Sequence, residues 1–238
     1  MSKHDPVLIT GAGKRVGLHL ALNFLARGMP VIGTYRTEYD SLHVLRDKGA
    51  TLYRCDFNDQ AQIDWLIETL LTSHKQLRAI IHNASEWLPD SADIPAAEII
   101  QRMLQIHVSA PYQLNRALEG LLRDCNDDHA DIIHISDYVS SRGSRKHSAY
   151  AASKAAMDNL TLSDSVRLAP KVKVNSSAPA LVLFNDDDDK AYREKTLKKS
   201  LMQREGGLDE FQHAVDYLMN SHYVTGRILP MDGGRHLL

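Results

Sequence analysis

The sequence has few of the features that would indicate a secreted, membrane or metal-binding protein. Its 238 residues include only two cysteines, Cys55 and Cys125, which have neither metal-ligand spacing nor the density of a disulfide scaffold. We interpret both as reduced thiols. The apolar runs are only a few residues long, too short to span a bilayer. The twelve histidines form no H-x-x-x-H pattern, so we expect no metal site.

An excess of charge of one sign is also lacking. The chain has 28 basic and 30 acidic side chains and a formal net charge of −2. This balance predicts neither a nucleic-acid partner nor a basic membrane-binding surface. Residues 1–6 lead directly into an apolar strand and leave no room for a signal peptide, so we expect a cytoplasmic protein.

Short apolar runs, most of them β-branched, alternate with amphipathic stretches along the chain. Seven runs are expected to be strands: 7–9, 31–33, 51–53, 79–81, 132–135, 172–174 and 228–230. Strands that alternate with helices predict parallel pairing and helices on both faces of the sheet. We therefore expect an α/β fold, with one doubly wound Rossmann-type domain over residues 1–238.

Two helical patterns lie between these runs. Val16, Leu20 and Phe24 recur every four residues, as on the buried face of a helix. A second buried face is expected at Ala155, Leu162, Val166 and Ala169. Residues 180–205 depart from the alternation, because they contain an acidic run at 186–189 and then a charged helix. This segment is typical of a solvated insertion and is also compatible with a mobile lid over a substrate pocket.

A glycine-rich turn, T-G-A-G-K-R-V-G at residues 10–17, follows the first strand and opens the first helix. Glycine allows close backbone approach, and a helix N-terminus offers N–H groups to an anion. In a doubly wound sheet this turn binds a dinucleotide. We therefore assign cofactor contacts to Gly11, Lys14, Arg15, Val16 and Gly17.

The residues after the second strand predict which dinucleotide is bound. Tyr35 and Arg36 stand where an NAD enzyme usually has a carboxylate for the ribose 2′-hydroxyl, and the first acidic residue is Glu38. Arg36, with Lys14 and Arg15 nearby, would attract a 2′-phosphate, so the expected cofactor is NADPH. The alternative is that Arg36 is only a surface cation.

Further cofactor contacts are expected at the ends of the next two strands. Asp56 follows the third strand, beside Phe57, and could accept a hydrogen bond from the adenine amino group. Asn83 follows the fourth strand, where it can reach the nicotinamide ribose, and Ala84 and Ser85 come next.

Tyr150 and Lys154 lie four residues apart, on one face of a predicted helix. A free tyrosine has a pKa near ~10, which is too high for proton transfer at neutral pH. A neighbouring cation favours the phenolate and lowers the pKa, so the pair can act as an acid or a base.

With these motifs the chain resembles the short-chain dehydrogenase/reductase family over essentially its whole length. The matching segments are 10–17, Asp56, 83–85, Tyr150 with Lys154, 174–175 with Pro179, 225–227 and 232–234. The resemblance implies that Tyr150 is the proton donor and that Lys154 holds the nicotinamide ribose and lowers the pKa of Tyr150. It also implies a homo-oligomer, a tetramer, in which the helical segments around 99–122 and 148–168 pack against partner copies.

The chain departs from the family pattern at three positions. Arg15 stands in the place of the middle glycine of the turn. Asp137 lies thirteen residues before Tyr150, where the family has its catalytic serine, and Ser136 lies fourteen before it. His107 replaces the asparagine of the fourth helix, which leaves it either a buried structural histidine or part of a proton path. Arginine in the turn and aspartate in place of serine both occur in the pteridine reductases of this family.

This resemblance implies a substrate as well as a cofactor. A carboxylate at Asp137 can accept from the N–H groups of a pterin, whereas a serine hydroxyl suits a ketone. We therefore expect reduction of a 7,8-dihydropterin, dihydrofolate or dihydrobiopterin among them, by hydride transfer from NADPH to C6. The proton for N5 would come from Tyr150 or from a water held by Asp137 and Tyr150. Arg15, Ser85 and Trp87 are expected to contact the substrate.

Alternatives remain for several of these residues. Asp137 could only cap the loop after strand five, with Ser136 as the donor of an ordinary carbonyl or polyol reductase. Arg15 could be a phosphate ligand alone, and Trp87 a packing residue. A dinucleotide-sensing protein without activity would be expected to lose Tyr150 or Lys154, and both are present.

Overall fold

The computed structural model describes residues 4–238; residues 1–3, part of the segment from which we expect no signal peptide, lie outside them. One sheet contains seven strands: β1 (Val7–Ile9), β2 (Val31–Tyr35), β3 (Thr51–Arg54), β4 (Ala79–His82), β5 (Ala130–Ile135), β6 (Val172–Pro179) and β7 (Ile228–Met231). All pairings are parallel, in the order β3-β2-β1-β4-β5-β6-β7. The seven predicted strands and the doubly wound α/β fold are therefore confirmed.

Helices connect successive strands. They are α1 (Arg15–Ala26), α2 (Ser41–Asp47), α3 (Gln60–Ser73), α4 (Ala96–Leu104), α5 (Ala110–Ala117), α6 (Glu119–Arg123), α7 (Ser148–Leu168), α8 (Lys190–Leu197) and α9 (Leu208–Asn220). A π-helical turn, Gln105–Ser109, joins α4 to α5. In the described part of the chain, no helix is long and apolar enough to cross a membrane.

The hydrophobic core consists of two clusters, one on each face of the sheet. Successive side chains of β1 alternate between them, with Leu8 in one cluster and Val7 and Ile9 in the other. Leu20 and Phe24 of α1 are buried in the second cluster, as their spacing predicts. Burial on both faces explains why the strands are continuously apolar.

The buried face predicted for α7 is wrong. The four residues assigned to it are all exposed: Ala155, Leu162, Val166 and Ala169. Val166 has 84% of its surface exposed. The side of α7 that packs on the sheet carries polar groups instead, among them Lys154, Thr161 and Asp164. The apolar periodicity therefore identifies the outer face of this helix, because the inner face carries site residues and a buried polar network.

The charged insertion is ordered by local hydrogen bonds. Asp189 caps α8 by accepting from the N–H of Tyr192 at 2.7 Å. Arg193 donates to the carbonyls of Asp188 at 2.8 Å and Asn185 at 2.7 Å. The acidic run itself is mostly exposed, which agrees with a solvated segment.

Candidate active site

The glycine-rich turn between β1 and α1 has a backbone that tolerates few side chains. Gly11 and Arg15 have φ angles of 68° and 52°, so Arg15 adopts the left-handed conformation that glycine favours. This agrees with its place at a family glycine. A Cβ on Gly17 would lie 2.2 Å from the carbonyl oxygen of Gly11 and 2.6 Å from Nδ2 of Asn83. Position 17 therefore accepts only glycine.

The start of α1 is open to an anion. Lys14 precedes the helix in an extended conformation, and no side chain caps the first turn. The N–H groups of that turn are therefore available to a phosphate. The ammonium of Lys14 lies 5.4 Å from the ring centroid of Tyr39, and Val16 is half-buried against the core.

Asn83 holds the turn in place from the end of β4. Its Nδ2 donates to the carbonyls of Thr10 at 3.0 Å and Gly11 at 2.9 Å. The N–H of Ala84 donates to the hydroxyl of Thr10 at 2.9 Å. The amide nitrogen of Asn83 is thus occupied, which leaves only Oδ1 for the predicted contact with the ribose.

A cavity at the carboxyl ends of β2 and β3 is lined by Arg36, Thr37, Glu38 and Arg54. The carboxylate of Glu38 pairs with Arg46 at 2.9 Å, and this ion pair lowers the pKa of Glu38. Arg54 forms no ion pair within the described residues, and Arg36 has only a long one, 3.5 Å to Glu86, so both guanidinium groups can attract an anion. The sequence analysis missed Arg54, although parallel pairing places it beside Tyr35.

Three further residues were predicted to contact the adenine side of the cofactor: Tyr35, Asp56 and Phe57. The hydroxyl of Tyr35 accepts from Arg46 at 3.2 Å. Oδ1 of Asp56 accepts from the N–H of Asn58 at 3.0 Å. The side chain of Phe57 is buried in the hydrophobic core, so the predicted cofactor contact at this residue would have to come from its backbone.

Glu86, which the sequence analysis also missed, connects this region to α4. It accepts from Arg102 at 2.6 and 3.2 Å, from Asn58 at 3.3 Å and from Arg36 at 3.5 Å. Its carboxylate therefore orients Arg36 while Arg102 balances its charge.

The residues after β5 bring a carboxylate to the predicted catalytic tyrosine. Oδ2 of Asp137 accepts a 2.9 Å hydrogen bond from the hydroxyl of Tyr150, and Oδ1 accepts from the N–H of Val139 at 2.9 Å. Asp137 thus caps the loop and contacts Tyr150 at the same time. Ser136 is buried, and its hydroxyl is directed to the carbonyl of Lys154 at 3.5 Å. Ser136 therefore faces away from the phenol.

The electrostatics of this group differ from the expectation drawn from the family. Burial and the neighbouring carboxylate of Asp137 raise the pKa of Tyr150, so the prediction of a lowered pKa is wrong for this arrangement. Lys154 does not counter this effect, because its ammonium donates to the carbonyl of Ile135 at 2.6 Å and lies 5.6 Å from the Tyr150 ring centroid. Burial lowers the pKa of Lys154 to about 8 and raises the pKa of Asp137.

His107 lies in the π-helical turn and connects two serines. Its Nε2 is 2.7 Å from the hydroxyl oxygen of Ser85, and its Nδ1 is 2.8 Å from that of Ser153. Burial lowers the pKa of His107 well below its usual value, so the ring is neutral. Ser153 donates to the carbonyl of Tyr150 at 2.7 Å and must accept from Nδ1–H. Ser85 consequently donates to Nε2 and presents its lone pairs to the site.

Two further predicted substrate residues lie around this centre. Trp87 is 62% exposed and stacks on the ring of His147, with centroids 4.0 Å apart. The guanidinium of Arg15 donates to Oδ1 of Asn185 at 2.7 Å and to the carbonyl of Leu183 at 3.0 Å. Arg15 thus connects the glycine-rich turn to the charged insertion.

The sequence and the fold both have known counterparts. A family model described as enoyl-(acyl carrier protein) reductase matches residues 11–236. The chain belongs to the short-chain dehydrogenase/reductase family.

Within the family, the chain is similar to dihydromonapterin reductases. The enzyme from Klebsiella pneumoniae subsp. pneumoniae is 52% identical over 232 residues, and that from Escherichia coli K12 is 50% identical. Each match covers 98% of this chain and 97% of the relative. A crystal structure of FolM alternative dihydrofolate reductase 1 from Brucella canis complexed with NADP has a TM-score of 0.86 and 25% identity, over 100% of this chain and 96% of that one. The predicted resemblance to the pteridine-reducing members of the family is confirmed.

Proposed function

We propose that this protein reduces a 7,8-dihydropterin, such as dihydromonapterin, to the tetrahydropterin with NADPH. The hydrogen bond between Asp137 and Tyr150 carries this proposal. A ketone oxygen needs a hydrogen-bond donor, whereas a buried carboxylate accepts from the N–H and amino groups of a pterin. The similarity to enzymes called dihydromonapterin reductase and alternative dihydrofolate reductase supports the same substrate class.

The residues present fit NADPH, which supplies the hydride that reaches C6. Glycine at position 17 lets α1 pack closely against the turn, and the uncapped N-terminus of α1 would bind the pyrophosphate. Arg36 and Arg54 would bind the 2′-phosphate, because guanidinium groups form bidentate hydrogen bonds with phosphate oxygens.

The protein side of the reaction is proton delivery at N5. We assign catalysis to Tyr150, Lys154 and Asp137. Tyr150 remains protonated at neutral pH, because burial and Asp137 raise its pKa. A phenol with a raised pKa is a weak acid by itself, so Tyr150 would pass a proton to N5 only as part of a relay with Asp137 or a water. Asp137, whose pKa burial also raises, shares that proton. Lys154 would orient the nicotinamide ribose.

The flat pterin ring would lie between surfaces that the structure supplies. Trp87, stacked on His147, offers an exposed aromatic face. Ser85 would accept from a pterin N–H group, because its own proton is directed to His107. Arg15 would steady the pterin edge together with Asn185 of the insertion.

Substrate screening tests this function. NADPH consumption is measured with dihydromonapterin, dihydrobiopterin and dihydrofolate, and with simple ketones. We expect Asp137→Ser to lower kcat/KM for dihydropterins about 100-fold, the range of general acid–base catalysis. Ser136→Ala is the matched control and should retain activity. Reduction of ketones alone would show an ordinary carbonyl reductase instead, and full dihydropterin activity in Asp137→Ser would contradict the role of Asp137.

We also infer that copies of the chain associate through α7. Leu162 and Val166 expose apolar surface on the outer face of this helix, and a second copy would bury it. Wild-type protein should elute as an oligomer in size-exclusion chromatography, and Val166→Glu should shift it towards the monomer. A monomeric wild type contradicts this inference.

A further inference from the structure

A cavity of about 310 Å³ lies between the end of α8 and the segment after β7. Its wall includes Thr196, Lys199, Ser200, Arg204, Met231 and Arg235. These residues belong to the charged insertion and to the C-terminal segment, and the proposed reaction uses none of them.

One buried group in this wall lacks a partner. Thr196 is only 8% exposed, and its hydroxyl makes no hydrogen bond to any described residue. A buried hydroxyl in that state has lost its hydration without compensation, so such groups are rare and usually indicate a missing ligand or water. The cavity beside Thr196 is where that partner would be.

The cations around the cavity also lack carboxylate partners. Lys199 forms no ion pair within the described residues, and burial together with the charges of Arg235, Lys195 and Lys146 lowers its pKa. The charges of these neighbours disfavour the ammonium form of Lys199, and an anion bound beside Lys199 would offset them.

Two of the three carboxylates in the wall accept hydrogen bonds from other groups. Glu205 accepts from the backbone N–H of Phe184 at 2.5 Å. Asp232 accepts from the backbone and the ring of His236, at 2.9 and 2.7 Å. Glu210 lies in the first turn of α9, where the helix dipole stabilises its charge. None of the three forms an ion pair with Lys199 in the described chain.

Arg235 connects this cavity to the catalytic group. Its guanidinium carbon lies 4.7 Å from the ring centroid of Tyr138, the residue after Asp137. The charge of Arg235 also acts on Asp137 and lowers its pKa, against the larger effect of burial. Arg235 therefore lines the cavity and also acts on the catalytic carboxylate.

We propose that this cavity is a subsite for an anionic substituent at C6 of the dihydropterin, bound by Thr196, Lys199 and Arg235. The proposal rests on the proposed dihydropterin reduction and adds the charge of the substrate. Carboxylate and phosphate oxygens both accept hydrogen bonds from a hydroxyl, an ammonium and a guanidinium. An uncharged polyol substituent would gain much less from these cations.

The test compares three substrates with different C6 substituents. Dihydrobiopterin carries an uncharged chain, dihydrofolate carries carboxylates, and a phosphate ester of a polyhydroxyalkyl dihydropterin carries a phosphate. We expect Lys199→Gln to lower kcat/KM about tenfold for an anionic substrate, mainly through KM, as loss of one charge-assisted contact predicts. Thr196→Val should act in the same direction, and kcat/KM for dihydrobiopterin should not change. A loss only for dihydrofolate identifies carboxylate as the ligand, and a loss only for the ester identifies phosphate.

Lys198→Gln is the matched control, because Lys198 is exposed like Lys199 but lies outside the cavity wall. It should leave all three values unchanged. The proposal of this subsite is wrong if wild type and Lys199→Gln reduce both anionic substrates equally well, and the proposed dihydropterin reduction would still stand.

If wild type reduces no dihydropterin, the subsite is tested by binding instead, through the thermal shifts that p-aminobenzoylglutamate and inorganic phosphate cause. If either anion raises the unfolding temperature of wild type but not that of Lys199→Gln, the subsite is supported. If neither anion raises the unfolding temperature of wild type, the proposed subsite is overturned.

Discussion

The hydroxyl of Tyr150 donates a 2.9 Å hydrogen bond to Oδ2 of Asp137, and burial raises the pKa of both groups. The pair therefore retains its protons to a higher pH than either side chain would in water. For Asp137 the shift is towards neutral pH, where a carboxyl can supply a proton to a ring nitrogen.

The raised pKa of Asp137 predicts how stability depends on pH. In the unfolded chain this carboxyl loses its proton near ~3.9, whereas the folded protein holds it to higher pH. Between the two pKa values the folded state binds more protons, so the free energy of unfolding falls as pH rises through that window. Asp137→Asn removes this titration. Its unfolding free energy relative to wild type should increase through the window and then level off, as measured by urea unfolding at several pH values. A difference independent of pH would contradict a raised pKa.

Tyr150→Phe should lower kcat about 100-fold or more, because it removes the proposed proton donor. KM should change little, since the ring remains. Tyr138→Phe is the matched control, because Tyr138 lies near the same centre and its ring still contacts Arg235. Steady-state NADPH oxidation measures both variants. An equal decrease of kcat in both variants would mean that the hydroxyl of Tyr150 is not the proton donor.

Arg36→Ala and Arg54→Ala should each raise the Kd for NADPH about tenfold, which is the loss of one charge-assisted phosphate contact. Binding of NADH, which lacks the 2′-phosphate, should be unaffected. Fluorescence titration with the two cofactors provides the measurement. Tighter binding of NADH than NADPH by wild type would show that these arginines do not select the cofactor.

Gly17→Ala should destabilise the protein by about 2 kcal/mol, because its Cβ would overlap the Gly11 carbonyl and the Asn83 amide. It should also weaken NADPH binding, since the turn must shift. Gly120→Ala is the control, because no atom lies within 4 Å of a Cβ placed on this glycine in α6. Alanine there should leave stability unchanged or increase it by up to about 1 kcal/mol. Thermal unfolding distinguishes the two, and equal stability would mean that the turn adapts to a side chain.

Much of the fold and part of the site could be predicted from local patterns. The strands were found because buried parallel strands are short apolar runs, and the glycine-rich turn because its spacing is specific. The inner face of α7 was not found, because Thr161 and Asp164 are buried polar residues that mimic an exposed face. Arg54 could have been found from the parallel pairing of β2 and β3. Thr196 and Arg235 carry no sequence signal, since their importance depends on a cavity formed by distant segments.

By itself, the sequence determined the parallel α/β sheet, the dinucleotide turn and the spacing of Tyr150 and Lys154, because each depends on residues close together in the chain. Only the tertiary structure decided which of Ser136 and Asp137 faces Tyr150. Adjacent side chains of an extended segment point to opposite sides, so only one of the two can face Tyr150. The way β5 packs against α7 determines which one does. The same long-range packing turns the ammonium of Lys154 towards the Ile135 carbonyl and leaves Asp137 as the group that acts on the tyrosine.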